Sequence, residues 1–281
     1  MTRVRQFYGG DGTPMQVPTA PDDVSRAWLS HRARVREWLA SLSDDGWVAP
    51  TRCAGWTVAD LVQHLASGSQ FVGYTLHEAK RGTPTQLLDG FDAQQTAAVA
   101  AQMFAGRSNP ELLAAMIDMD ESAATQIAAF TSESWLATAE APPGHVPAYV
   151  SLNHFLFDSW VHERDLMRPR GIDAVVDDTE ALAVVTYVLA LAGVAADAAD
   201  DAAAEAVTMT VRVTDLDCDV SVRRADGQVE VSLERAVDAG LEISGTAEDL
   251  VDVATGREPR APLTGAPAAI GYLEQLATIM A

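Results

Sequence analysis

Val150-Ser-Leu152-Asn-His154-Phe155-Leu156-Phe157-Asp158-Ser-Trp160-Val161-His162-Glu-Arg-Asp165-Leu-Met167 decides the fold of the first part of this chain. Leu152, Phe155, Leu156, Trp160 and Val161 recur at helical spacing, and Pro169 and Gly171 stop the run. His154, Asp158 and His162 are spaced by four. They therefore share one face of the helix, drifting by about 40° per step. That stripe borders an apolar surface, where a carboxylate is costly unless it is paired or bound to a cation. An Asp and a His at i and i+4 stand about 5–6 Å apart at Cβ and can converge on one ion. They need a third ligand from elsewhere. His64 is the natural candidate, flanked by Leu61, Val62 and Leu65 in an otherwise apolar helix. Three protein ligands with an open position is the pattern of a catalytic metal site. Each part also has a plainer reading. A mid-helix histidine is commonly a satisfied core residue, and an Asp/His pair at i, i+4 can simply be an ion pair. His154 reads as a further ligand, a partner of the ligands or a substrate contact, the last two fitting its drift better. His31, His77 and His145 have no such company and read as solvated.

Outward from this helix, the chain before residue 170 is helical. Pro21 to Leu42 carries Trp28, Val35, Trp38 and Leu39 near helical spacing, with Asp22 and Asp23 favouring its start. Thr57 followed by Asp60 resembles a capping box, opening a helix to about Lys80 that Gly68 and Gly73 weaken. Asp92 to Phe104 and Pro110 to Phe130 are two more helical stretches, and Pro142-Pro143-Gly144 is a loop. Thr179 to Ala196 is almost wholly apolar and reads as a buried helix. From Ala206 the period becomes two: Val207, Met209, Val211 and Val213, then Cys218, Val220 and Val222, then Val229, Val231 and Leu233. Asp226-Gly227 is a hairpin turn. Leu241 to Ser244 is a fourth strand, Thr246 opens a short acidic-started helix, and Ala268 to Met280 closes the chain as an amphipathic helix. The expected architecture is α plus α+β: a helical bundle over 21–170, a linker from Pro169 to Asp178, and a small α+β unit over 178–281. Residues 1–20 read as a flexible arm.

The chain has 281 residues, 48% of them hydrophobic, enough for a buried core. Its net charge of −21 argues against nucleic acid or an anionic membrane as partner. From Asp173 onward 21 acidic side chains face 6 basic ones, a step that marks a domain boundary. No apolar run reaches the roughly 18 residues of a membrane span, and the N-terminus lacks the apolar segment of a signal peptide, so a cytoplasmic protein is expected. Cys53 and Cys218 stand in no redox or metal spacing and read as free thiols. No feature specifies an oligomeric state.

Gly55-Trp56-Thr57-Val58-Ala59-Asp60-Leu61-Val62-Gln63-His64-Leu65 resembles the second-helix signature of the mycothiol-dependent maleylpyruvate isomerase family, within the DinB-like four-helix bundles. Phe157-Asp158-Ser159-Trp160-Val161-His162-Glu163-Arg164-Asp165-Leu166 resembles its fourth-helix signature. Leu241 to Leu250, Thr255-Gly256-Arg257 and Leu263-Thr264-Gly265 resemble its sterol-carrier-like C-terminal domain. The resemblance implies a divalent metal, zinc first, on His64, Asp158 and His162, with Asp158 where well-known members have glutamate. Nickel, iron and manganese suit the same donors. It implies a small-molecule substrate and a low-molecular-weight thiol cosubstrate such as mycothiol, so that neither cysteine need be the nucleophile. The chemistry implied is isomerisation or S-transfer on an electrophile such as a maleyl-type acid. Asp165 matches an acid after the histidine motif and reads as structural, bonding the Trp56 loop. A dicarboxylate calls for a cation; Arg223 and Arg224 are the candidates, of which the strand alternation lets at most one face the cleft. Two other readings stand beside this one: a metal-dependent biosynthetic enzyme or hydrolase that uses no thiol, and a non-catalytic, metal-stabilised module for a small ligand.

Overall fold

Two helix starts show how local chemistry sets the bundle. Thr57 accepts from the backbone N–H of Asp60 while the Asp60 carboxylate accepts from the backbone N–H of Thr57, opening α3 (Val58–Lys80) as a complete capping box. Ser108 and Glu111 form a second one at the start of α4 (Asn109–Ala128). α1 (Pro21–Ala40) begins with proline and two acids, and buries Val24, Trp28, Val35 and Leu39 on one stripe. A short turn, α2 (Asp44–Trp47), follows it. α5 (Ala148–Met167) is the helix of the His/Asp stripe. The computed structural model describes residues 6–8, 14–88, 99, 101–199 and 206–280. Most of the expected helix from Asp92 to Phe104 lies outside the described residues, and 101–103 are helical.

Ahead of α5 the loop expected at Pro142-Pro143 is the turn between two strands that were not expected, the second taking in Gly144. β2 (Thr138–Ala141) and β3 (Gly144–Pro147) form a hairpin around Pro142 and Pro143. Strands of four residues are too short to print an alternation that sequence reading can detect.

The second half is built on α6 (Asp178–Ala199), followed by β4 (Val207–Val213), β5 (Cys218–Ala225), β6 (Gln228–Ser232), β7 (Leu241–Gly245), α7 (Ala247–Ala254), β8 (Thr264–Gly265) and α8 (Pro267–Met280). With β1 (Met15–Gln16) the strands make a six-stranded sheet in the order β1-β6-β5-β4-β7-β8. β1 runs parallel to β6 and β4 parallel to β7. Asp226 and Gly227, both at positive φ (54° and 72°), make the tight turn between β5 and β6. Within the expected flexible arm of residues 1–20, the described residues Phe7 and β1 are held in the fold. Met15 is buried on the sheet edge, and the backbone of Phe7 bonds to Pro143 and His145. A two-residue edge strand carries no period to read.

α6 joins the two halves. It packs on α1 and α5 on one side and on α7, α8 and β6 on the other. One continuous apolar core runs from Trp28 and Leu76 through Tyr187 and Val188 to Val211, Val222 and Leu273. Gly193 permits the close approach of α8: a Cβ there would lie 2.4 Å from the Tyr272 hydroxyl and 2.8 Å from Val229. The window Asp178–Ala195 is long and apolar enough to cross a membrane by length and composition, a length the sequence reading fell short of, but 83% of it is buried inside the fold.

Candidate metal centre

His64 from α3 and Asp158 and His162 from α5 meet where these helices pack. His64 Nε2 lies 3.2 Å from both Asp158 oxygens, and His162 Nε2 lies 3.5 Å from Asp158 Oδ1. The two imidazoles stand nearly perpendicular with centroids 4.9 Å apart. Their donor atoms all fall within 4.8 Å of one another, close enough to converge on one ion. The three side chains are 13–23% exposed, so the group opens onto a cavity.

A surrounding set of charges fixes this geometry. His162 Nδ1 donates to Asp165 Oδ2 at 2.9 Å, which fixes the ring with Nε2 turned toward Asp158. Asp165 is fully buried and also accepts from Arg52 Nε at 2.8 Å and Arg257 Nη2 at 2.6 Å. Burial alone would raise its pKa; the bonds from His162 and Arg257 outweigh it and hold the carboxyl well below the usual carboxylate range. Asp158 behaves alike. Burial opposes its charge, but His64 and His162 keep it ionised, and Asp158 in turn draws the His162 pKa up. The donors are two imidazole nitrogens and one carboxylate, a set that fits a divalent metal with a position left open. Arg52 also pairs with Asp252 of α7, and Arg257 follows that helix, so the second half of the chain clasps the His/Asp group of the first.

Cys53 enters here against expectation. Its Sγ is 3.8 Å from His162 Nδ1 and 3.3 Å from Asp165 Oδ2. Cys53, His162 and Asp165 form a second group of metal-capable atoms. It uses the Nδ1 side of the same ring, and its carboxylate is already held by Arg52 and Arg257, so the first group is the better cation site. Nothing in the cysteine spacing announces Cys53. It is brought in because a backbone bond from Arg52 N–H to Asp165 O ties the loop to α5.

His154 sits one turn before Asp158, buried, with Nδ1 2.8 Å from the Tyr187 hydroxyl. It lines the cavity but does not join the metal group. Burial pushes its pKa down to about 4, with Asp158 opposing and His64 adding, so the ring is neutral at physiological pH. Arg223 and Arg224 do not line the cavity. Arg224 shares the buried face of β5 with Val220 and Val222, and Arg223 points out to solvent. The cavity lies on the other side of α6 from these strands, and among the described residues the arginines that line it are Arg52, Arg107 and Arg257. His31 and His145 are not solvated as expected. His31 is fully buried against Glu180 and Ser159, and His145 bonds to the Thr85 carbonyl. His77 is exposed.

The cavity measures about 1590 Å³ and reaches from the metal group past Trp56 and Phe155 to Leu88. Trp56 stands edge-on to His64 at 5.8 Å.

Comparison with known proteins gives a consistent picture. Residues 28–167 match the family model described as the mycothiol maleylpyruvate isomerase N-terminal domain. A solved structure of a mycothiol-dependent maleylpyruvate isomerase is similar at 15% identity and a TM-score of 0.57, over 88% of this chain and 95% of that one. A histidine-to-alanine mutant of such an isomerase is similar at 14% identity and the same TM-score and coverage. At that identity the likeness is one of fold. No curated protein matches the sequence.

Proposed function

The chain belongs to the mycothiol maleylpyruvate isomerase family, and from that premise we propose that it is a metal-dependent enzyme that uses a low-molecular-weight thiol, mycothiol or a close analogue, for isomerisation of, or S-transfer to, a small electrophile. The observation that carries this reading is the convergence of His64, Asp158 and His162 on the edge of a large cavity, with His162 oriented by Asp165. These three would hold the ion, with zinc the best match to two nitrogens and an oxygen. Bound there, a divalent cation lowers the pKa of a thiol beside it and keeps it as thiolate near neutral pH. The chain's own residues do the rest. Asp165 holds the His162 proton on Nδ1. Arg52 and Arg257 hold Asp165. Neutral His154, backed by Tyr187, is a hydrogen-bonding group one turn from Asp158. A non-catalytic module would call for a closed four-ligand site; three donors bordering a cavity support an enzyme instead.

The test is metal content by elemental mass spectrometry, wild type beside His162→Ala, followed by turnover of activated alkenes with and without mycothiol. About one equivalent of metal in wild type alone, with thiol-dependent turnover, is the expected result. Absence of metal after challenge with zinc would overturn the reading. Turnover of an activated ester without thiol would move it to a water-using hydrolase.

A further inference from the structure

The electrophile's chemical class is written in the cavity walls. Phe155, Phe157 and Val161 from α5, Phe71 from α3, and Leu191 and Val194 from α6 all line it. Phe157 and Val161 are sequence neighbours of Asp158 and His162, so the apolar wall starts at the metal ligands themselves. The Phe71 and Phe155 rings meet at 5.7 Å. The volume, about 1590 Å³ among the described residues, exceeds the roughly 300–1,000 Å³ that encloses most small ligands, leaving room for a thiol cosubstrate and a second bulky molecule.

The cations among the described residues point the same way. A compact dicarboxylate needs a partner for each carboxylate, since an unpaired one against apolar walls is strongly disfavoured. Arg257 is committed to Asp165, and Arg52 to Asp165 and Asp252. Arg107 lies over the Phe104 ring within Coulombic reach of Glu111. Asp118 faces the same cavity and adds negative charge.

We propose that this chain takes an electrophile whose activated carbon is carried on an extended apolar body, aromatic or branched aliphatic, in place of a compact dicarboxylate. The proposal rests on the metal–thiol reading above. For an activated alkene the balance is simple. The thiol sulfur bonds to the β carbon, the π pair moves to the α carbon, and that carbon takes the proton the thiol gave up. Isomerisation reverses the addition after rotation about the former double bond.

The experiment separates this proposal from the one it rests on. Unreactive analogues, 4-phenylbutan-2-one and succinate, are titrated by calorimetry into the full-length, zinc-loaded protein, so that binding is read without turnover. The phenyl ketone is expected to bind at least tenfold more tightly than succinate. Phe155→Ala is expected to weaken it about tenfold and leave succinate unchanged. Circular dichroism checks the variant's fold; Phe71→Ala reads the same wall should Phe155→Ala not fold. Equal or tighter binding of succinate, or a phenyl ketone affinity indifferent to the folded variant, overturns the proposal. Thiol dependence, measured separately with the matching enone, tests the metal–thiol reading. Its loss with the binding preference intact would overturn that reading alone.

Discussion

Replacing Asp165 with asparagine should uncouple the metal centre from the rest of the molecule. The carboxylate accepts from His162 Nδ1 at 2.9 Å, Arg52 Nε at 2.8 Å, Arg257 Nε at 2.8 Å and Arg257 Nη2 at 2.6 Å. Asparagine keeps the shape, loses the charge, and turns one acceptor atom into a donor. Either His162 or an arginine then faces an N–H in place of an oxygen. Loss of a carboxylate that orients a ligating histidine costs about 10–100-fold in metal affinity. Breaking a buried ion pair costs about 3–5 kcal/mol, and the low end applies here because both arginines keep partial access to solvent and Arg52 keeps Asp252. Zinc affinity by chelator competition and urea unfolding of the metal-free protein measure the two effects. A zinc affinity within threefold of wild type would refute the orienting role, even if stability fell. A stability unchanged as well would refute the clasp.

Removing a ligand is expected to be harsher: His64→Ala should abolish stoichiometric zinc, read by elemental analysis of the dialysed protein. Arg223→Ala should leave both zinc content and thiol-dependent turnover at wild-type levels, since the side chain lies off the cavity. Glu180 supplies an acid-sensitive increment. Burial would raise its pKa, but bonds from His31 and Arg34 bring it down from 4.5 to about 2, so its contribution is complete above pH 4.5 and is lost as the pH falls toward 2. That shift corresponds to about 3 kcal/mol, and Glu180→Gln should flatten the stability profile over that window in acid titrations followed by circular dichroism. Gly193→Ala should lower stability by about 1–3 kcal/mol in thermal unfolding, because its methyl would meet the Tyr272 hydroxyl and Val229.

What was legible in the sequence follows a physical rule. Periodic, locally determined features came through: the capping box at Thr57, the His154/Asp158/His162 stripe, the buried α6 and the strands of period two. The convergence of His64 with that stripe was inferable, because two helices with histidines amid apolar residues can satisfy them on each other. Features set by long-range contact did not come through. Cys53 reaches His162 across 109 positions and Arg257 reaches Asp165 across 92, and no local spacing announces either contact. Arg223 and Arg224 stood out as a pair of charges, yet sheet order places them away from the cavity. His31 looked solitary because its partners, Ser159 and Glu180, lie 128 and 149 positions away.

That His31 network explains how one helix can hold both a reactive stripe and a fixed position. α5 presents His154, Asp158 and His162 to the cavity, and Ser159 and Glu163 to the opposite side. There Ser159 bonds to His31 and Arg32 of α1, and Arg32 pairs with Asp120 of α4. Arg34 bridges Glu163 of α5 and Glu180 of α6 at 2.9 and 2.8 Å. α1 is thus tied to α5 by buried or half-buried charge-assisted bonds, and through Arg34 and Arg32 it links α6 and α4 to the same face. Such bonds are directional, whereas apolar packing alone tolerates rotation about the helix axis. A rotation large enough to move Asp158 away from His64 would have to break the Arg34 and Ser159 contacts together. Asp158 and His162, the candidate metal ligands on α5, are therefore held by interactions made on the opposite face of that helix.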